Sequence, residues 1–171
     1  MAITPAEIED AWASAHIVRF APAELSSLGL PESARQPLLD FGLPDRIESL
    51  FSTDGLARLE LPVIGPAVRF GLGWNDQYQL CVRLDNGEVH AFHPDADELT
   101  YVNRDMMSFV EFLARSSRVY ELYERTERAE LSEGDYLDAV TEAHERLRTC
   151  DPRALLDGGW WAGIVEEFSM V

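Results

Sequence analysis

Two histidines three residues apart, His90-Ala91-Phe92-His93, are the first candidates for chemistry, because an HxxH pair can begin a metal site. Their neighbours follow a strand pattern, however, and on a strand residues three apart point to opposite faces. The two rings are expected to diverge, and no matching pair of ligands stands out elsewhere. His144 sits among Glu142, Glu145 and Arg146 on a predicted solvated helix, and His16 lies just past a helix end. The nucleophile candidates are as sparse. No Gly-x-Ser-x-Gly elbow is present; Cys81 lies in an apolar strand pattern, and Cys150 has no activating context. Gly71-Leu72-Gly73 runs on toward a strand, whereas a phosphate cradle opens a helix. These residues predict no catalytic group, no metal and no cofactor. A small hydrolytic enzyme built on His90 and nearby carboxylates stands as the rival reading.

The charge is more informative. The chain has 31 acidic residues against 14 basic ones, all arginine, for a formal net charge of −17. The acid is spread along the chain and does not form a tail. Such a field repels nucleic acid and anionic lipid and attracts basic partners at long range, although solubility alone would also explain it. Within it stand Trp74, the acidic turn Asp95-Ala96-Asp97-Glu98, and Trp160-Trp161 followed by Glu166 and Glu167. Adjacent helical residues point about 100° apart, so one Trp of the pair can enter the core while the other covers its margin. Trp161 is then either a lid on the core or an exposed anchor with an acidic rim.

Several elements must position these residues. Thr4-Pro5-Ala6-Glu7 is a capping-box pattern opening a helix from about Pro5 to Ala15, and Ile17 to Phe20 reads as a short strand. Pro22 to Leu28 reads as a connector. A helix from Pro31 to Phe41 is fenced on both sides by Gly-Leu-Pro, with Pro31 suited to its first turn and Gly42 to its left-handed end. Strand patterns follow over Arg58 to Ile64 and Ala67 to Trp74. The hairpin over 77–93 turns at Asn86-Gly87, a favoured two-residue turn that would pair Val82 with Ala91 and Arg83 with His90. After a short strand, Leu99 to Val102, Asn103 reads as the cap of a helix from Asp105 to at least Glu124. Helices over Glu133 to Arg148 and Trp160 to Met170 close the chain. Length and an apolar share of 46% fit one domain, and no apolar run reaches a membrane span. The first residues lack the layout of a signal peptide, so cytoplasmic residence is expected. The fold class is α+β: a central twisted, mostly antiparallel sheet packed against N-terminal and C-terminal helices.

Taken in order, the motifs resemble the SUKH superfamily, the Smi1/Knr4-related proteins, and within it the actinobacterial SUKH-4 branch. The resemblance rests on Leu28-Gly29-Leu30-Pro31-Glu32-Ser33-Ala34-Arg35, Phe41-Gly42-Leu43-Pro44, Leu61-Pro62-Val63-Ile64-Gly65 and Asp85-Asn86-Gly87-Glu88-Val89. Tyr101-Val102-Asn103, the helix from Ser108 to Leu113, and Trp160-Trp161 to Glu167 complete it. Pro37 and the segment 65–76 depart from the family pattern. The resemblance implies one SUKH-like domain over 1–171: an N-terminal helix and strand (1–19), a family core (20–128) and C-terminal helices (129–171). It also implies a non-enzymatic immunity protein that binds and blocks a cognate toxin of a polymorphic toxin system, often a nuclease or deaminase. The partner would be a basic protein domain, with no direct contact to nucleic acid or membrane; oligomeric state is left open. The expected contact residues are Trp74, Asp95, Asp97, Glu98, Trp161, Glu166 and Glu167. A general binding scaffold with a housekeeping partner is the alternative.

Overall fold

The computed structural model describes residues 3–168. Among them are six α-helices and two antiparallel sheets, one of two strands and one of six. This is the expected α+β arrangement. Met170, the expected end of the last helix, lies outside the described residues.

The capping box at the start is reciprocal. Thr4 Oγ1 accepts from the Glu7 N–H at 3.3 Å, and Glu7 Oε2 accepts from the Thr4 N–H at 2.8 Å. The helix it opens, α1 (Pro5–Ala11), stops short of Ala15 because Trp12 leaves helical geometry at the C-cap and buries its ring. β1 (Ile17–Val18) pairs with β2 (Leu43–Pro44). Pro22–Ser27, expected as a connector, is a helix (α2), started by Pro22 and held by the buried Leu25. The fenced helix is α3 (Glu32–Asp40), and there Pro31 is the extended N-cap, not the first helical residue. Pro37 is tolerated inside it because Ala34, Pro37 and Leu38 are all buried, so packing outweighs the lost hydrogen bond. Gly42 has φ +68°, and a Cβ there would meet the Val18 carbonyl oxygen at 2.5 Å. The fence thus seats the end of α3 directly against β1.

The main sheet is a meander in chain order: β3 (Arg46–Ile47), β4 (Phe51–Leu61), β5 (Gly65–Gly73), β6 (Tyr78–Arg83), β7 (Val89–His93) and β8 (Glu98–Asn103). The β6–β7 register differs from expectation by two residues. Val82 pairs with Val89, Cys81 with His90 and Leu80 with Ala91. Asn86 and Gly87 still turn the chain, but within a longer loop: Gly87 N–H donates to the Arg83 carbonyl at 3.0 Å, and Asn86 Oδ1 accepts from the Glu88 N–H at 3.0 Å. An even shift keeps every side chain on its expected face.

Leu80, Val82, Val89 and Ala91 therefore still belong to the core, which lies between the sheet and α4 (Met106–Glu127), α5 (Glu133–Cys150) and α6 (Trp160–Phe168). Phe70 and Phe109 meet edge to face at 5.1 Å, and Trp161 packs at a tilt against Phe109 and Phe112. The N-cap of α4 is Asp105, which accepts from the Ser108 N–H at 2.7 Å; Asn103, the expected cap, is buried instead. On the other face of the sheet a second, smaller cluster (Leu61, Ala67 and Cys81 with Leu59, Ile64, Phe92 and Leu99) consists of sheet and hairpin residues alone.

Candidate partner-binding end of the sheet

In an antiparallel meander every second turn lies at the same end. The turns joining β3 to β4, β5 to β6 and β7 to β8 thus share one end of the sheet, and those after β4 and β6 share the other. The first end gathers Trp74, Asp95, Asp97 and Glu98 from turns far apart in sequence. Backbone bonds lock two of its turns together: Trp74 N–H donates to the Leu50 carbonyl at 3.2 Å, and Asn75 N–H to the Ser49 carbonyl at 2.8 Å. Asp76 accepts from Ser52 Oγ at 2.8 Å, and that bond, more than the nearby Arg46, holds its carboxyl below the ordinary range. The ring of Tyr78 meets His93 edge to face at 4.9 Å, and His93 Nδ1 accepts from the Ala96 N–H at 3.2 Å. This contact connects the third turn to the second.

Backbone strain is concentrated at this end. Of the six non-glycine residues with positive φ among the described residues, five are here: Glu48 (+42°), Trp74 (+47°), Asn75 (+52°), Asp76 (+64°) and Asp97 (+50°). A left-handed conformation costs an L-residue roughly 1–2 kcal/mol, less for Asn and Asp, and nothing comparable for glycine. At the opposite end the same conformation is met by glycines, Gly65 (+72°) and Gly87 (+77°). One end therefore uses the unstrained residue, and the other keeps acidic and aromatic side chains at a conformational cost.

The two ends also differ in charge compensation. At the glycine end Arg83 pairs with Asp85 at 2.6 Å, and Glu88 with Arg153 at 3.2 Å. At the strained end Arg46 pairs with Asp76, whereas Glu48, Asp95, Asp97 and Glu98 make no ion pair among the described residues. The same end extends onto α6. Burial pushes the Tyr120 phenol up to about 12, and the negative charges of Glu167 and Glu48 add to that shift. A groove of about 250 Å³ opens beside Glu48, bordered by Tyr120, Glu121 and Glu124. Glu166 is exposed next to Glu167. Trp74 is half-buried, resting edge to face on Trp160 at 6.4 Å.

Trp161 requires a correction. It is 0% exposed, and its Nε1–H donates to Asn103 Oδ1 at 2.8 Å, so it is the lid of the core and not a surface anchor. Asn103 in turn lies 3.4 Å from Asp151, which also accepts from Tyr101 Oη at 3.0 Å and from the Arg104 N–H at 2.8 Å. This polar chain fixes β8 to α6.

The catalytic candidates are separated. His90 is 7% exposed, with Nε2 3.1 Å from Glu88; burial lowers its pKa, against the opposing pull of Glu88. His93 belongs to the strained turn, so the two rings have unrelated partners. Burial pushes the thiols of Cys81 and Cys150 up to about 12 and about 11, leaving both protonated at neutral pH. Among the described residues no group of three His, Cys, Asp or Glu could hold a metal ion, and no helix is long and apolar enough to cross a membrane. A cleft of about 300 Å³ between α1, α4 and α5 is lined by Arg115 and Arg118, both already paired with carboxylates.

Sequence reasoning found four residues of this end but missed Glu48, Asn75 and Asp76. The dipeptide Asn75-Asp76 between two strand patterns was the available signal, since these residue types tolerate left-handed geometry. Glu48 offers no such signal. A family model described as SUKH-4 immunity protein matches residues 3–167. No curated protein and no solved structure matches the chain.

Proposed function

Because this chain belongs to the SUKH-4 immunity protein family, we propose that it neutralises a cognate toxin domain in the cytoplasm by stoichiometric binding, without catalysis. The contact surface in this reading is the strained end of the sheet: Trp74, Asp95, Asp97 and Glu98, extended by Glu48, Asp76, Glu166 and Glu167. One observation supports it above the others. Backbone strain marks all three turns, two of them, at Glu48 and at Asp95 to Glu98, also carry carboxylates without an ion pair among the described residues, and retained strain concentrates where side chains have a task beyond stability. The partner is a basic domain, as expected of a nuclease or nucleic-acid deaminase. Carboxylates accelerate encounter, and burial of the Trp74 ring then slows dissociation.

The test is co-expression with the toxin domain encoded beside the gene, read by co-purification and by growth protection. Complex and protection are expected, both weakened by Trp74→Ala and by the combined Asp95→Asn, Asp97→Asn, Glu98→Gln variant. Absence of a complex with the unaltered protein would refute the function. A complex indifferent to both variants would place the contact on another surface.

A further inference from the structure

The outer edge of β4 has the chemistry of a self-complementary contact, and we propose that this chain forms a two-fold dimer by pairing that edge with its copy in a second molecule. β3 covers β4 only at Phe51 and Ser52. Beyond that, the β4–β5 register breaks between Thr53 and Ala57, and Pro62 follows the last residue of the strand. Ala57 to Leu61 is therefore a straight window closed by a bulge on one side and by a residue without an N–H on the other.

Backbone direction within the window follows from β5. The Pro66 carbonyl accepts from the Leu84 N–H at 3.0 Å, so residue 66 faces β6. Its partner across the ladder, Glu60, consequently turns its N–H and C=O away from β5, and the alternation of the strand does the same for Arg58. An antiparallel pairing centred on Leu59 sets Arg58 against Glu60 of the copy, and Glu60 against Arg58 of the copy. Both are then hydrogen-bonded pairs that use those outward groups. Leu59 meets its own copy at the non-hydrogen-bonded position, where side chains approach most closely.

The side chains match the same register. Arg58 and Glu60 share one face and make no ion pair among the described residues. In a chain with 31 acidic residues, an arginine left without a carboxylate at a sheet edge is notable. The two-fold axis gives each a partner of opposite sign. On the other face, Leu59 and Leu61 bring the two small apolar clusters together. Charged residues and bulges on an edge strand ordinarily discourage pairing, but an Arg-x-Glu pattern discourages a generic strand and suits its own antiparallel copy. The contact is isologous and closes at two molecules. It lies toward the Leu61–Gly65 end of the hairpin, so it leaves the strained turns free and does not depend on the partner reading above.

Sedimentation velocity on the full-length protein over a range of concentrations tests it. A concentration-dependent dimer is expected. Glu60→Arg or Arg58→Glu sets like charges opposite each other at both pairs and should weaken association by roughly tenfold or more. The double variant, Arg58→Glu with Glu60→Arg, restores opposite signs in the same register and should recover the dimer. A protein that stays monomeric throughout would overturn the proposal, as would a dimer whose strength is unchanged by the single reversals. Circular dichroism of each variant separates lost pairing from lost folding, and the double variant is the control that a merely destabilised edge would fail.

Discussion

Glu48 offers a direct test of whether the strained end is strained. Its side chain makes no hydrogen bond or ion pair among the described residues, and its φ is +42°. Replacing it with Ala removes the carboxylate and keeps the left-handed penalty; replacing it with Gly removes both. The penalty is roughly 1–2 kcal/mol. Glycine gives back about 0.5–1 kcal/mol through the greater freedom of its unfolded chain. Near the centres of these ranges Glu48→Gly should be more stable than Glu48→Ala by about 0.5–1 kcal/mol, which reverses the usual order at an unstrained site. With a urea slope of about 2 kcal/mol/M, the midpoints should separate by roughly 0.25–0.5 M at unchanged slope. In a thermal scan the same difference is about 1–4 °C for a chain of this size. Both variants lose the same charge, so long-range repulsion cancels in the comparison. If Glu48→Gly unfolds at lower urea than Glu48→Ala, the backbone at this turn is not strained, and the argument that links strain to function at this end fails with it.

Three further outcomes follow from particular contacts. Trp161→Phe removes the donor that satisfies the buried Asn103 Oδ1 and should cost about 1–3 kcal/mol in urea unfolding, before any loss from packing. Gly42→Ala forces a Cβ against the Val18 carbonyl at positive φ; a loss of at least about 2 kcal/mol is expected, and a neutral effect would contradict the close seating of α3 on β1. The His90 pKa lies below its usual value of 6.5 in the folded state because burial disfavours the imidazolium. The unfolded chain thus binds a proton first, and the His90 contribution is complete above pH 6.5 and is lost as pH falls toward the folded pKa. Stability measured across that window should decline toward acid, and His90→Gln should flatten the decline.

The large features were legible because they rest on local chemistry. The capping box at Thr4, the left-handed end at Gly42 and the long amphipathic α4 each depend on a few adjacent residues. Where expectation failed, a distant contact decided. Leu25 found a core position, so Pro22–Ser27 became a helix. Asn103 was drawn to the Trp161 indole, leaving Asp105 to cap α4. The Asn86-Gly87 turn lengthened by taking up the Asn86 side chain, yet the faces of the hairpin survived because the shift was even.

The family, the alternation of strands and turns, and an excess of carboxylate that no folding could hide were legible from residue order and composition alone. Tertiary structure decided which of those carboxylates remain unpaired, which tryptophan closes the core, and which turns hold side chains at positive φ. These are properties of neighbours brought together from distant positions. The HxxH pair shows the division plainly. Strand periodicity already separated the two rings, but only the fold set the buried His90 beside the half-buried Glu88 carboxylate and His93 in a strained acidic turn.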